Sequence, residues 1–262
     1  MIRELCKKLG IKTSEVGYAG MKDKNALTEQ FISLPARFSK LDEIKLSNAS
    51  LRFLKLGPRI RLGDLAGNEF EVRLRLRCSV KQARKRLKRL ELEMNRKLIP
   101  NYFGLQRFGR NLENHVIGYL IAKGFISPRM DKSILKLYLH SLQAFLFNRA
   151  LSSYIATRDK PFLREVKLIG FNTRLGSGIF DRMYRQILRS INLKCYELHV
   201  PWLRITAREA RRKAFIRPLW MRWSIEGKSL NLRFALPAGS YATVLLNELF
   251  IGFDDRYVRL TS

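Results

Sequence analysis

Residues 70–95 change periodicity once, and that change limits what the chain can fold into. Phe70, Val72, Leu74 and Leu76 alternate with Glu71, Arg73, Arg75 and Arg77. A period of two means a strand with one face on a core and the other toward solvent or a polyanion. From residue 79 the spacing becomes helical. Val80, Ala83, Leu87 and Leu90 share one face, and Lys81, Arg84, Lys85, Lys88 and Arg89 crowd the other. A chain that runs from one pattern straight into the other is neither all-α nor all-β.

The remaining segments support a mixed α+β fold. Ile2, Leu5, Cys6 and Leu9 line one face of a helix over residues 1–10, and Val16–Ala19 reads as a short buried strand ending at Gly20. Thr28–Leu34 is a second strand, and helices are predicted at about 112–123 and 131–157. After Gly170, Gly176 and Gly178 an apolar helical pattern runs to residue 192, and Arg204–Lys213 reads as a second basic helix. Leu219–Ile225 and Leu230–Leu236 flank Glu226-Gly227-Lys228-Ser229, a hairpin signal. Past Pro237-Ala238-Gly239-Ser240 a helix is predicted over 241–250, with Ser240 as its N-cap. The helix-rich stretch 125–215 reads as an insertion between two strand-bearing halves.

Charge narrows the partner. Fifty-one Lys and Arg oppose 22 Asp and Glu, a formal charge of +29. A compact particle with that excess repels itself unless a polyanion is near. The charge is spread along the whole chain, which favours nucleic acid over a membrane surface. No apolar run approaches the ~20 residues of a membrane span. The N-terminus has no apolar signal-peptide core, so a cytoplasmic location is expected. Cys6, Cys78 and Cys195 form no CxxC pair, and His115, His140 and His199 are isolated, so no metal site is expected.

Three segments could carry chemistry. In Tyr18–Thr28 a strand delivers the chain to Gly20, and Asp23 follows between Lys22 and Lys24. An aspartate is ionised at neutral pH, and flanking cations favour that form, so a fixed and accessible Asp23 can act as a nucleophile. Taken alone it also reads as a helix-capping residue in a charged turn. Asn101 to Gly109 places an amide beside Tyr102 and Phe103, followed by Arg107. A flipped pyrimidine needs such a pair, a ring to stack on and hydrogen bonds for its edge. Aromatic core packing around a turn would look the same. In Leu236–Thr243 a strand ends in a Pro/Gly turn and a helix begins, which could place Tyr241 at a site or bind a phosphate. Clustered cations at Lys24, Arg84, Lys88, Arg107, Arg211 and Arg212 are candidates for RNA contact.

In this order the three segments resemble the blocks of the TruD family of tRNA pseudouridine synthases. Gly20-Met21-Lys22-Asp23 is similar to its G-x-K-D block, and Asn101-Tyr102-Phe103-Gly104 with Gln106-Arg107-Phe108-Gly109 to its N-x-F-G block. Leu236–Thr243 is similar to its L-P-x-G-S-[FY]-A-T block. Leu139–Asn148 and Lys167–Thr173 extend the likeness over nearly the whole chain. The resemblance implies a pseudouridine synthase catalytic domain over 1–124 and 216–262, with a mixed antiparallel sheet, and a TruD-type insertion domain over 125–215.

It further implies that a uridine in tRNA (position 13 of the D arm in the family) is isomerised to pseudouridine without a cofactor. Asp23 would be the nucleophile, and Asn101, Phe103, Tyr241 and Lys22 would bind the substrate. Attack at C1′ and attack at C6 both remain open. Members of the family carry an extended segment before the helix that here begins at residue 1, with a lysine and a phenylalanine near the active site, and a longer insertion. Those departures leave a second expectation, a catalytically impaired RNA-binding protein on the same fold.

Overall fold

A computed structural model describes residues 1–20, 22, 26–39, 43–94, 98–157 and 160–250. They form two compact units, one on each side of the link between Asn68 and Glu69.

The first unit opens with α1 (Ile2–Leu9), which buries Leu5 and Cys6. It stops because Gly10 turns left-handed, φ 63°, and donates its N–H to the Cys6 carbonyl. Strands β1 (Gly17–Tyr18) and β2 (Ile32–Ser33) pair antiparallel, Gly17 opposite Ser33. Both are shorter than predicted. Just past β1 the chain meets the turn at Gly63, whose N–H is bonded to the Ala19 carbonyl at 2.9 Å. A Cβ at residue 17 would collide with the Ile60 carbonyl and the Ser33 hydroxyl. Strands β3 (Glu43–Leu46) and β4 (Ala49–Arg52) form a hairpin, with Ile44 buried.

Through the link runs β5 (Gly67–Arg75), whose exposed and half-buried positions alternate as the sequence requires. Then come α2 (Val80–Met94), β6 (Ile99–Pro100), α3 (Asn114–Ala122), α4 (Lys132–Ala156) and β7 (Glu165–Leu168). The chain continues through α5 (Ile179–Ser190), β8 (His199–Val200), β9 (Ile205–Thr206), β10 (Ala210–Lys213) and β11 (Phe215–Ile216). The last described elements are β12 (Trp220–Glu226), β13 (Ser229–Pro237) and α6 (Ala242–Leu249). The β12–β13 hairpin and β5 make one sheet, in the order β12-β13-β5.

The second unit has two apolar cores. Leu139, Leu146, Phe147 and Leu151 of α4 pack with Ile121 of α3 and Tyr184 of α5 in a helical core. Leu232, Phe234 and Leu236 of β13 pack with Leu245 and Leu249 of α6 in a sheet core. Each fully buried leucine contributes about 1.5–3 kcal/mol. The short ladder of β6 and β11 is their seam. Phe215, opposite Pro100, belongs to the helical core, and Ile216, opposite Ile99, to the sheet core.

Two sequence expectations are corrected. Arg204–Lys213 is not a basic helix but β9, a bend and β10, and β10 pairs antiparallel with β7, Arg212 opposite Val166. Its cations alternate across the strand, Arg211 and Lys213 outward and Arg212 inward. Ser240 does not cap α6. Tyr241 is the N-cap residue, in extended conformation at φ −111°, and the Ser240 hydroxyl is buried without a hydrogen-bond partner. The Tyr241 ring lies near Phe103, as described next.

Candidate active site

The seam of the second unit carries a polar knot with Arg212 at its centre. The side chain is 9% exposed. Its Nε and Nη2 donate to the Asn101 carbonyl at 3.1 and 2.8 Å, and Nη2 also reaches Asn101 Oδ1 and the Tyr102 carbonyl, each at 3.1 Å. From the other side Nη1 donates to the Gly239 carbonyl at 2.8 Å. One guanidinium thus joins the segment after β6 to the turn after β13. No described carboxylate lies within ion-pair distance of it. Burial pulls its pKa down to about 10, with the nearby Arg107 acting in the same direction, and it stays cationic at neutral pH.

The same group forms the floor of an aromatic corner. Its Cζ lies 3.9 Å from the centroid of Phe103, with Phe147 and Tyr241 at 5.3 and 6.0 Å. Phe103 and Tyr241 are tilted at 59° with centroids 6.1 Å apart, and Phe147 meets Phe103 edge-on at 5.6 Å. Asn148 of α4 fixes the Phe103 backbone in both directions: its Oδ1 accepts from the N–H at 2.8 Å and its Nδ2 donates to the carbonyl at 3.0 Å. Next to Phe103 the space at Gly104 is tight. A Cβ on Gly104 would stand 2.6 Å from Gln106 Oε1 and 2.8 Å from Tyr241 Cδ1. Asn101 is itself buried, its Nδ2 donating to the Lys213 carbonyl at 2.9 Å.

Asn101, Phe103 and Tyr241, chosen from sequence, are therefore brought together. Arg107 joins them, its guanidinium 5.8 Å from the Phe103 centroid and its Nε buried without a hydrogen-bond partner. His140 lies in the same cationic environment. Burial first, then the Arg107 and Lys136 charges, push its pKa below the ordinary imidazole value. Arg84, Lys88 and Arg211 are exposed, and Arg84 and Lys88 line a shallow cleft with Trp223. Lys22, in the first unit, is exposed and donates through Nζ to Asn68 Oδ1 at 2.9 Å. Asp23 and Lys24 lie outside the described residues.

Sequence reasoning selected Arg212 as an exposed RNA contact; its place inside the seam was not foreseen. It also gave no role to Asn148 or to Gln143, whose Nε2 is bonded to the Ile169 and Arg208 carbonyls at 2.7 and 2.8 Å. The available signal was two amides inside an otherwise apolar helical stripe, since buried amides are held by hydrogen bonds. Among the described residues no cluster of His, Cys, Asp or Glu could hold a metal ion, and no helix is long and apolar enough to cross a membrane.

A family model described as tRNA pseudouridine synthase D (TruD) matches residues 1–128 and 156–249. A tRNA pseudouridine synthase D of Wolinella succinogenes is 42% identical over 302 residues, spanning 92% of this chain and 81% of its own. One of Photobacterium profundum is 28% identical over 287 residues, spanning 96% and 80%. A crystal structure from Methanosarcina mazei, assigned to the same family, matches with a TM-score of 0.69 over 95% of this chain and 84% of its own, at 20% identity, and agrees in fold.

Proposed function

The chain belongs to the TruD family of tRNA pseudouridine synthases, and from that premise we propose that it isomerises a uridine of tRNA to pseudouridine, with Asp23 as nucleophile and no cofactor. The observation that carries the reading is the aromatic corner. Phe103 and Tyr241, far apart in the chain, meet on one buried guanidinium that is hydrogen-bonded to Asn101. The family supplies the substrate class, and the corner has the ring surfaces a flipped uracil requires.

The N1–C1′ bond of the nucleotide breaks and a C5–C1′ bond forms. C5 loses its proton and N1 gains one, so no atom or electron is exchanged with a co-reactant. Asp23 attacks the nucleotide and is also the candidate to take the C5 proton. Phe103 and Tyr241 wall the uracil during its rotation. Asn101 offers its remaining amide hydrogen near the base, and Arg107 and Lys22 meet the adjoining phosphates. Arg212 acts through Phe103 and the two backbone segments that it joins, as a positioning residue. In domain terms, 1–124 with 216–262 form the catalytic domain and 125–215 the family's insertion. In support, most buried residues of the helical core lie between Leu135 and Phe215, although Ile121 and Ala122 belong to it and Tyr102 and Phe103 pack against it. The target is the family's D-arm uridine.

The test uses unmodified tRNA transcripts and chemical mapping of pseudouridine. Asp23→Asn is expected to abolish product while tRNA affinity stays within about threefold. An active Asp23→Asn enzyme would remove the nucleophile from Asp23. Strong binding without product in the unmodified protein would select the impaired RNA-binding reading instead.

A further inference from the structure

Behind the Phe103 segment the second unit has another opening that the reaction does not use. It is a cleft of about 260 Å³ on one face of α4, where Phe145, Asn148, Arg149 and Ser152 stand at helical spacing opposite Phe108 and His115. Its wall is aromatic. His115 stacks on Phe145 with centroids 4.5 Å apart at 20°, and Phe108 meets His115 edge-on at 5.4 Å. Arg149 and Ser152 at the rim are exposed, and Arg149 makes no hydrogen bond or ion pair with any described residue. Asn148 links this cleft to the active corner, because both its amide atoms hold the Phe103 backbone.

We propose that this cleft receives a second unstacked nucleobase of the RNA, outside the uridine that reacts. Size points to a single flat ring system, since the cleft is smaller than the roughly 300–1,000 Å³ of pockets for drug-sized ligands. The chemistry points to a nucleotide. An aromatic wall with an unpaired guanidinium at its rim suits a base and its phosphate, and the chain's +29 charge draws RNA rather than a cationic or apolar peptide. The position adds a function. A base docked on α4 beside Asn148 would couple recognition of neighbouring tRNA structure to the placement of Phe103. This inference rests on tRNA being the substrate, and is independent of which residue attacks the uridine.

A binding cycle tests it. Affinity is measured by fluorescence anisotropy on tRNA transcripts in an Asp23→Asn background, so turnover does not enter. Ser152→Trp plugs the cleft from an exposed position and also removes the Ser152 hydroxyl from its 3.2 Å contact with the Tyr102 hydroxyl. Ser152→Ala, which loses that contact without filling the cleft, is therefore the control and should bind like the parent. The tryptophan is expected to weaken binding about tenfold, the loss of one stacking contact of about 1.4 kcal/mol. Transcripts carrying one abasic site at each unpaired nucleotide are then compared. A single position is expected to reproduce the tenfold loss with the unplugged protein and to cause no further loss with Ser152→Trp. Ser152→Leu, a smaller plug, repeats the cycle if tryptophan lowers the helical circular dichroism. Unchanged affinity in folded plugged variants would overturn the proposal and leave the cleft to another class of partner. Abasic losses that all add to the Ser152→Trp loss would overturn it too. Product forming in the Asp23→Asn background would overturn the nucleophile assignment alone.

Discussion

The helical core and the sheet core of the second unit bury the same kinds of residue but are organised differently. In the helical core, α4 packs against its near neighbours α3 and α5, and the polar tie of Gln143 to two carbonyls is an exception in an apolar interior. In the sheet core, β13 presents Leu232, Phe234 and Leu236 to α6 and to strands from distant parts of the chain. The candidate site lies where the two meet, with Phe147 of the helical core as one of its walls, and there the interior becomes polar. Asn101, Tyr102 and Gly239 carbonyls converge on Arg212 instead of on an apolar side chain. Cores supply stability through area and volume, whereas the seam supplies direction, because hydrogen bonds and a planar cation fix orientation as well as distance.

That contrast is broken or sharpened first at Arg212. Arg212→Lys keeps the charge but cannot reach Asn101, Tyr102 and Gly239 together, and it loses the flat face under Phe103. A misplacement of about 1 Å can cost about 100-fold in rate. The expected outcome is a kcat about 100-fold lower with KM for tRNA within about threefold. Leu146→Ala and Leu232→Ala, one in each core, are the controls. Each should cost about 2–5 kcal/mol of stability by chemical denaturation and leave kcat of the folded enzyme nearly unchanged. If either core deletion matched Arg212→Lys in kcat, the division between stabilising cores and a directing seam would fail.

A smaller effect is expected at Gly104. In Gly104→Ala the new methyl group would meet Gln106 Oε1 and Tyr241 Cδ1 at 2.6 and 2.8 Å, so the Tyr241 ring must shift away from Phe103. Steady-state kinetics should show kcat lowered about tenfold with the melting temperature little changed. The side chains that yield lie at the ends of α6 and a turn, not in a core. Restored rate in Gly104→Ala combined with Tyr241→Leu would identify the displaced ring as the cause.

The sequence revealed the parts of this seam but not their assembly. Alternation in β5 and helical spacing in α1 and α2 were legible because both are local consequences of having one buried face. The β10 strand was not. Its ladder partner β7 is remote in sequence, and Arg211-Arg212-Lys213 looks the same in composition on a basic helix. For the same reason the burial of Arg212 could not be read. Two of its three carbonyl partners belong to residues 101 and 102 and the third to residue 239, and nothing near residue 212 announces them. Phe103 and Tyr241 were picked out through block order, and Ser240 was misread because its hydroxyl type fits a cap while the backbone assigns that position to Tyr241.

The smallest expected effect separates charge on the sheet side from the seam. On α2, Arg84 and Lys88 are exposed beside Trp223, while Ala83 and Leu87 of the same helix are buried. A cation on such a face acts on phosphates through counterion release, without orienting the reacting base. The double variant Arg84→Ala and Lys88→Ala should reduce the slope of log K against log salt by about 2 for tRNA and weaken affinity similarly for any tRNA sequence. Its kcat should match the parent enzyme. A titration of affinity across salt concentrations, paired with single-turnover rates at saturating enzyme, separates the two terms. A rate loss at saturation would mean that α2 orients the substrate as well as attracting it, and direction would then no longer belong to the seam alone.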